Sequence, residues 1–255
     1  MALPFFYTKE INSLQTRFVL NEETSKHIVQ VLRMQNGEQL NLTDGVGNIY
    51  LSTISNNNKK NCVVEINSIL NTEKPVADIT IAISILKNAS RFEWFLEKAT
   101  EIGVTQIIPL LCNRTERTHF RYERMNSILI SAMLQSQQSW LPVLSEPVQF
   151  NNLTIRQFDN YNKFIAHCEE EKKQSLNSQL IKQSTNQLIL IGPEGDFSND
   201  EINLALQNNF IPVTLGKTRL RSETAGIVAA TLLCNAGQFF NDKSLQIFFT
   251  IDGPS

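Results

Sequence analysis

Two short stretches of this chain combine glycine, proline and charge in a way that suits ligand binding. Gly192-Pro193-Glu194-Gly195 follows the apolar run "QLILI", and Leu215-Gly216-Lys217, continuing to Ser222, follows "PVT". Glycine lets backbone amides approach a ligand with no Cβ in the way. Both loops follow β-rich runs, and open α/β sheets bind ligands at the carboxyl ends of their strands. A Gly-Pro-x-Gly stretch alone is also an ordinary tight turn, but two such loops, each directly after a buried strand, weaken that account. Ser198 with Glu201 three residues on fits a capping box, so a helix should start immediately behind the first loop.

Arginine is the second source of chemistry. "NRTERTHFRYER" carries Arg114, Arg117, Arg121 and Arg124 against Glu116 and Glu123, the second loop adds Lys217, Arg219 and Arg221, and Arg33 closes an early helical segment. The planar guanidinium makes paired hydrogen bonds to phosphate, so these residues are candidate RNA contacts, although such clusters also serve as solvated, self-paired faces. Other chemistries are argued against. The chain lacks G-x-x-x-x-G-K-[ST], an early G-x-G-x-x-G, H-E-x-x-H and G-x-S-x-G. His27, His119 and His167 are scattered, and Cys62, Cys112, Cys168 and Cys234 form no C-x-x-C pair, so no metal site is expected and the thiols read as reduced. A net charge of -2 gives no global electrostatic footprint, so any nucleic-acid surface must be local. "MALPFFYTKE" lacks the apolar core of a secretion signal and no stretch is long enough to span a bilayer, which points to a soluble cytoplasmic protein.

The elements that must position these residues fall into two groups. Up to about residue 72, short strands dominate: "RFVLNEE", "EQLNLTDGVGNIYLSTIS" with a hairpin signal at Asp44-Gly45, and "NCVVEINSIL". Strands at such short spacing suggest a small barrel, with one helical segment around Ile28, Val31 and Leu32. From residue 73 to 255 strand and helix alternate. "DITIAISIL", "TQIIPLL", "KFIAHC", "QLILIG", "PVTLG" and "LQIFFT" read as strands. "RFEWFLEKATEI", closed by Gly103, then "YERMNSILISAMLQSQ", "NDEINLALQNN" and "SETAGIVAATLLCNAGQFF" read as helices. This predicts an α/β domain with a mostly parallel sheet.

Over nearly its whole length the chain resembles the RsmE family, the 16S ribosomal RNA uridine N3-methyltransferases of the SPOUT superfamily. "HIVQVLRMQNGEQLNLTDGVGNIY" looks like that family's PUA-like N-terminal domain, "EKATEIGVTQIIPL" like its early helix and strand. "LIGPEGDFSNDEI" and "LGKTRLRSETAG" match its two closing motifs in order and spacing. The resemblance implies a PUA-like RNA-binding β-barrel domain over residues 1–72. It implies a SPOUT methyltransferase domain over 73–255, with a C-terminal trefoil knot holding S-adenosylmethionine. It also implies a homodimer acting on 16S ribosomal RNA or the small ribosomal subunit. The implied cofactor residues are His167, Ile191 to Gly195, Leu215, Gly216, Leu220, Arg221, Ser222 and Thr224. Arg221 is the implied group that holds or polarises the uracil, with Glu223 and Glu194 as candidate proton acceptors or positioning groups. Arg91, Arg114 and Arg117 join Arg33, Arg121, Lys217 and Arg219 as implied RNA contacts.

The chain departs from the family pattern at four places. Thr218 stands where the family has arginine and Arg219 where it has an aliphatic residue. The Glu-Gln-Ser-Gly-Arg signature reads "LQSQQS", with Leu134, Gln137 and Gln138 for the acid, glycine and arginine. Asp196 replaces the second glycine after Pro-Glu. A methyltransferase acting on another RNA site, or a non-catalytic ribosome-assembly RNA-binding protein, is the alternative reading.

Overall fold

The computed structural model describes residues 3–153, 158–169, 173–180 and 186–241. Its contacts separate two compact units: Met1–Lys74 with Ile130–Leu141, and Pro75–Leu129 with Pro142–Ser255.

In the first unit, strands β1 (Phe5–Tyr7), β2 (Arg17–Val19), β3 (Gln39–Thr43), β4 (Asn48–Asn56) and β5 (Val63–Asn71) form one sheet in the order β1-β3-β4-β5-β2. Pairing is antiparallel except between β1 and β3. Burial alternates along β4, as expected for a strand with one face on a core. The β4–β5 register shifts at Leu51/Ser52 and again at Ile54/Asn56, and such irregularities add the twist that curls a sheet. The enclosed core includes Phe6, Ile28, Leu40, Leu42, Tyr50, Ile54 and Val64. The early helical segment is α1 (Glu22–Lys26), capped by the Asn21 side chain, which runs into a wider π-type turn over His27–Val31.

The Asp44-Gly45 hairpin turn is held from inside and outside. Asp44 Oδ1 accepts from the backbone of Val46 and Asn48 at 2.9 and 3.2 Å. From far along the chain, Ser139–Leu141 lies across the same turn. Gly47 N donates to Ser139 O at 2.9 Å and Leu141 N to Gly45 O at 2.8 Å. Gly47 has φ 97, and a Cβ there would collide with the Trp140 ring. Only glycine meets both demands.

The second unit is built on an eight-stranded parallel sheet. Its strands are β6 (Ile79–Ser84), β7 (Gln106–Leu111), β8 (Val143–Leu144), β9 (Val148–Gln149), β10 (Asn162–Ala166), β11 (Gln174–Ser175), β12 (Gln187–Ile191) and β13 (Ile211–Thr214). Their order is β11-β13-β10-β12-β6-β7-β8, with β9 on β7. β6 and β12 are buried along their whole length, which is why they read as continuous apolar runs. Helices α2 (Ala89–Ile102), α3 (Tyr122–Gln135), α4 (Leu176–Gln179), α5 (Asn199–Gln207) and α6 (Ser222–Asn241) fill the connections.

Local chemistry sets the helix limits. Gly103, at φ 100, ends α2. Ser198 and Glu201 form the expected capping box of α5. Glu201 is buried and its other oxygen accepts from Asn113 N at 2.8 Å, so one carboxylate fixes both a helix start and a neighbouring loop. Gly226 of α6 packs on Phe95 of α2 and Ile83 of β6, with no room for a Cβ. α3 ends in a Schellman motif, in which Gln138 N donates to Met133 O and Gln137 N to Leu134 O. The expected strand "LQIFFT" lies outside the described residues.

Candidate active site

β13, β10 and β12 are neighbours and parallel, so their carboxyl ends share one edge of the sheet. The three loops leaving those ends surround a cavity of about 400 Å³. Ala166, His167 and Cys168 come from the first loop. Ile191, Gly192, Pro193, Glu194 and Asp196 come from the second. The third contributes Val213 to Gly216 and Thr218 to Arg221, and α6 adds Ser222 and Ala225. The two loops singled out by their glycines are thus two walls of one cavity.

Each wall is braced from behind. Arg114 Nη1 donates to Gly195 O at 2.8 Å and to Phe197 O at 3.3 Å, so this arginine supports the second loop. Glu194 accepts from Lys87 N at 3.1 Å through Oε1. Asp196 occupies a left-handed backbone position, φ 64, and accepts from Cys168 N at 2.7 Å and Phe197 N at 2.9 Å. Lys173 Nζ donates to His167 O at 2.7 Å. In the third loop Thr214 Oγ1 donates to Gly216 O at 2.8 Å. Arg221 is exposed on the cavity wall, and its carbonyl accepts the first helical bond of α6, from Ala225 N at 2.8 Å.

Most of the expected cofactor residues line the cavity; Gly195 and Thr224 are sequence neighbours of lining residues and do not line it themselves. Glu223 does not line it either. It is buried in the first turn of α6, with Oε1 3.6 Å from Arg91 Nε and Oε2 without a hydrogen-bond partner among the described residues. A carboxylate there is favoured by the helix dipole.

The expected RNA contacts disperse. Arg91 sits beside Glu223 and Arg114 is committed to the second loop. Arg124 grips Glu93 through two hydrogen bonds, of 2.6 and 2.9 Å. That bond, with Arg121 and Arg117 nearby, holds the Glu93 carboxyl below the usual carboxylate range. Lys217 is exposed beside the cavity and Arg219 is exposed on its wall. Arg33 is an exposed residue of the first unit, with φ 57.

Cys168, Thr218 and the strand-end residues Ala166, Val213 and Thr214 were not among the expected site residues. Counting the last residue of each strand into its loop would have found Ala166 and Thr214. Arg219, expected as an RNA contact, also lines the cavity.

Residues 72–234 match the RNA methyltransferase domain family and residues 20–67 the RNA methyltransferase PUA domain family. The ribosomal RNA small subunit methyltransferase E of Mesomycoplasma hyopneumoniae is 30% identical over 219 residues, 84% of this chain and 92% of the relative. The chain belongs to the ribosomal RNA small subunit methyltransferase E family. Two solved structures carry the likeness into three dimensions. A probable rRNA-methyltransferase from Porphyromonas gingivalis is 36% identical, covers 93% of this chain and 100% of its own, and has a TM-score of 0.85. The family member from Neisseria gonorrhoeae, solved with bound S-adenosyl methionine, is 26% identical with a TM-score of 0.81, covering 92% of this chain and 98% of its own. Among the described residues no helix is long and apolar enough to cross a membrane, and no group of three or more His, Cys, Asp or Glu could hold a metal ion.

Proposed function

We propose that this chain methylates N3 of a uridine in 16S ribosomal RNA of the small subunit, with S-adenosylmethionine as donor. The observation that carries the reading is the cavity at the ends of β10, β12 and β13, walled by both family motifs with Arg221 on its rim. About 400 Å³ lies in the range of small-molecule sites, roughly 300–1,000 Å³. The lining suits this cofactor. Ile191, Val213, Leu220 and Ala225 offer apolar surface for a purine, glycine-containing loops offer backbone groups, and Glu194 puts negative charge near a cationic ligand. The same reading makes residues 1–72 a PUA-like RNA-binding domain and 73–255 a SPOUT domain with its trefoil knot. It also makes the working form a cytoplasmic homodimer.

The bound cofactor supplies a methyl group already activated by its sulfonium. The protein therefore has to align the uracil ring, and alignment accounts for much of such a rate. As the N3 proton leaves, negative charge spreads onto the uracil oxygens, and the Arg221 guanidinium stabilises it. Glu194 stands on the cavity wall and Glu223 does not, so Glu194 is the better-placed proton acceptor and Glu223 positions Arg91 at the start of α6. Lys217, Arg117, Arg121 and Arg33 supply phosphate contacts.

Arg221→Ala should lower kcat by about 10²–10³ while leaving cofactor affinity within a few-fold. Calorimetry and single-turnover methylation of small-subunit RNA measure the two separately. Mass spectrometry of ribosomal RNA from cells lacking the gene tests the reaction itself. Loss of one 3-methyluridine, restored by the wild-type chain, is expected; an unchanged modification profile would sink the proposal.

A further inference from the structure

The ladder between β10 and β12 ends at the pair Ala166 and Ile191, and past it both loops line the cavity. Beyond that limit Cys168 N donates to Asp196 Oδ2 at 2.7 Å, from one loop to the other. The other carboxylate oxygen accepts from Phe197 N at 2.9 Å, which fixes the side chain on its own loop. Asp196 holds this pose from a backbone at φ 64, a conformation that favours glycine and costs any residue with a Cβ. On the far side, Lys173 Nζ secures His167 O at 2.7 Å, so the first loop is tied at two successive residues. The Cys168 thiol feels Asp196, Arg219 and Lys173 electrostatically, which places all three charges around this point of the wall.

We infer that Asp196 is a positioning residue for the methyl donor: its carboxylate latches the loop after β10 to the loop after β12 and presets the cavity before the cofactor arrives. Glycine at this position would relieve the backbone and open the latch. Preorganised walls raise affinity by removing the ordering cost from the binding step. The latch acts through geometry, so it serves the donor and its demethylated product alike. The inference rests on the proposed cofactor, and the test separates the two.

Calorimetry with S-adenosylmethionine and with S-adenosylhomocysteine is run on the full-length wild type, Asp196→Gly and Asp196→Asn, with thermal melts alongside. Asp196→Gly should bind both nucleosides about tenfold more weakly, the scale of one charge-assisted hydrogen bond, while its melting temperature holds or rises. In turnover, KM for the donor should rise by a similar, roughly tenfold factor with kcat nearly unchanged. Asp196→Asn tolerates the left-handed backbone and keeps one acceptor, so it should recover affinity to within about threefold of wild type. Unchanged affinity in Asp196→Gly would overturn the latch, as would a loss confined to the sulfonium form, which would mean direct charge contact. If the wild type bound neither nucleoside, the proposed cofactor and the latch would fall together.

Discussion

Positions 137 and 196 are the two where the family resemblance calls for glycine and this chain has none. Both backbones are left-handed, with φ 56 at Gln137 and φ 64 at Asp196. The glycine preference is therefore conformational at both, and the sequence could show the substitution but not the angle. The two differ in return. Asp196 gains two hydrogen bonds for its side chain, whereas Gln137 simply occupies the residue after the C-cap of α3. Left-handed backbone costs a non-glycine residue about 1–2 kcal/mol, and glycine's extra unfolded freedom offsets about half of that. Gln137→Gly should therefore stabilise the protein by about 0.5–1 kcal/mol in urea unfolding. A second test concerns Cys168, the one exposed thiol among the four. Burial first, then Asp196, raises it above the ordinary thiol value of 9.0, against the pull of Arg219 and Lys173. Burial pushes Cys112 and Cys234 up to about 12. Alkylation needs the thiolate. Labelling of the native protein should therefore be slow at neutral pH, accelerate as pH rises past 9.0, and fall on Cys168, as peptide mass spectrometry would show.

Among the elements, those with a local signature were legible and those without were not. β6 and β12 announce themselves as unbroken apolar runs because both faces are covered. α5 is framed by its capping box and α2 by Gly103, each a contact within a few residues. β8, β9 and β11 have two residues each, too few to carry any period, and exist because a neighbouring strand completes them. Gly226 is a further case. Inside a strongly helical stretch it reads as a weakness, yet α6 and α2 meet at it. An added methyl would stand 2.6 Å from the Phe95 ring and 3.1 Å from Ile83. Gly226→Ala should cost about 1–3 kcal/mol despite alanine's better helix propensity, measurable as a lower urea midpoint with unchanged slope. A neutral or stabilising result would mean that the helices separate more easily than this packing implies.

At the scale of the whole molecule, the α/β domain followed from the alternation of runs, and the site from two loops. The membership of Ile130–Leu141 in the first unit did not, because it rests on contacts some ninety residues apart in sequence, such as Thr43 with Ser139. The three residues that lie across the turn, Ser139, Trp140 and Leu141, carry no periodic pattern. A fragment of residues 1–74 would leave Gly47 without its Ser139 acceptor and Thr72 without its 2.6 Å Ser139 hydroxyl partner. That fragment should show weak, non-cooperative thermal unfolding, and adding the peptide 130–141 in excess should sharpen and raise the transition. A sharp melt of the fragment alone would show that the return segment is dispensable.

The same feature constrains how such a protein can change. Because the chain leaves the first unit near residue 74, re-enters at 130 and leaves again at 141, the units share three covalent crossings. A gene exchange that swapped the N-terminal region as a cassette would import a hairpin turn shaped for someone else's tryptophan. The two units are in this sense co-inherited: any recombination that keeps the first intact must carry a stretch of sequence from the middle of the second.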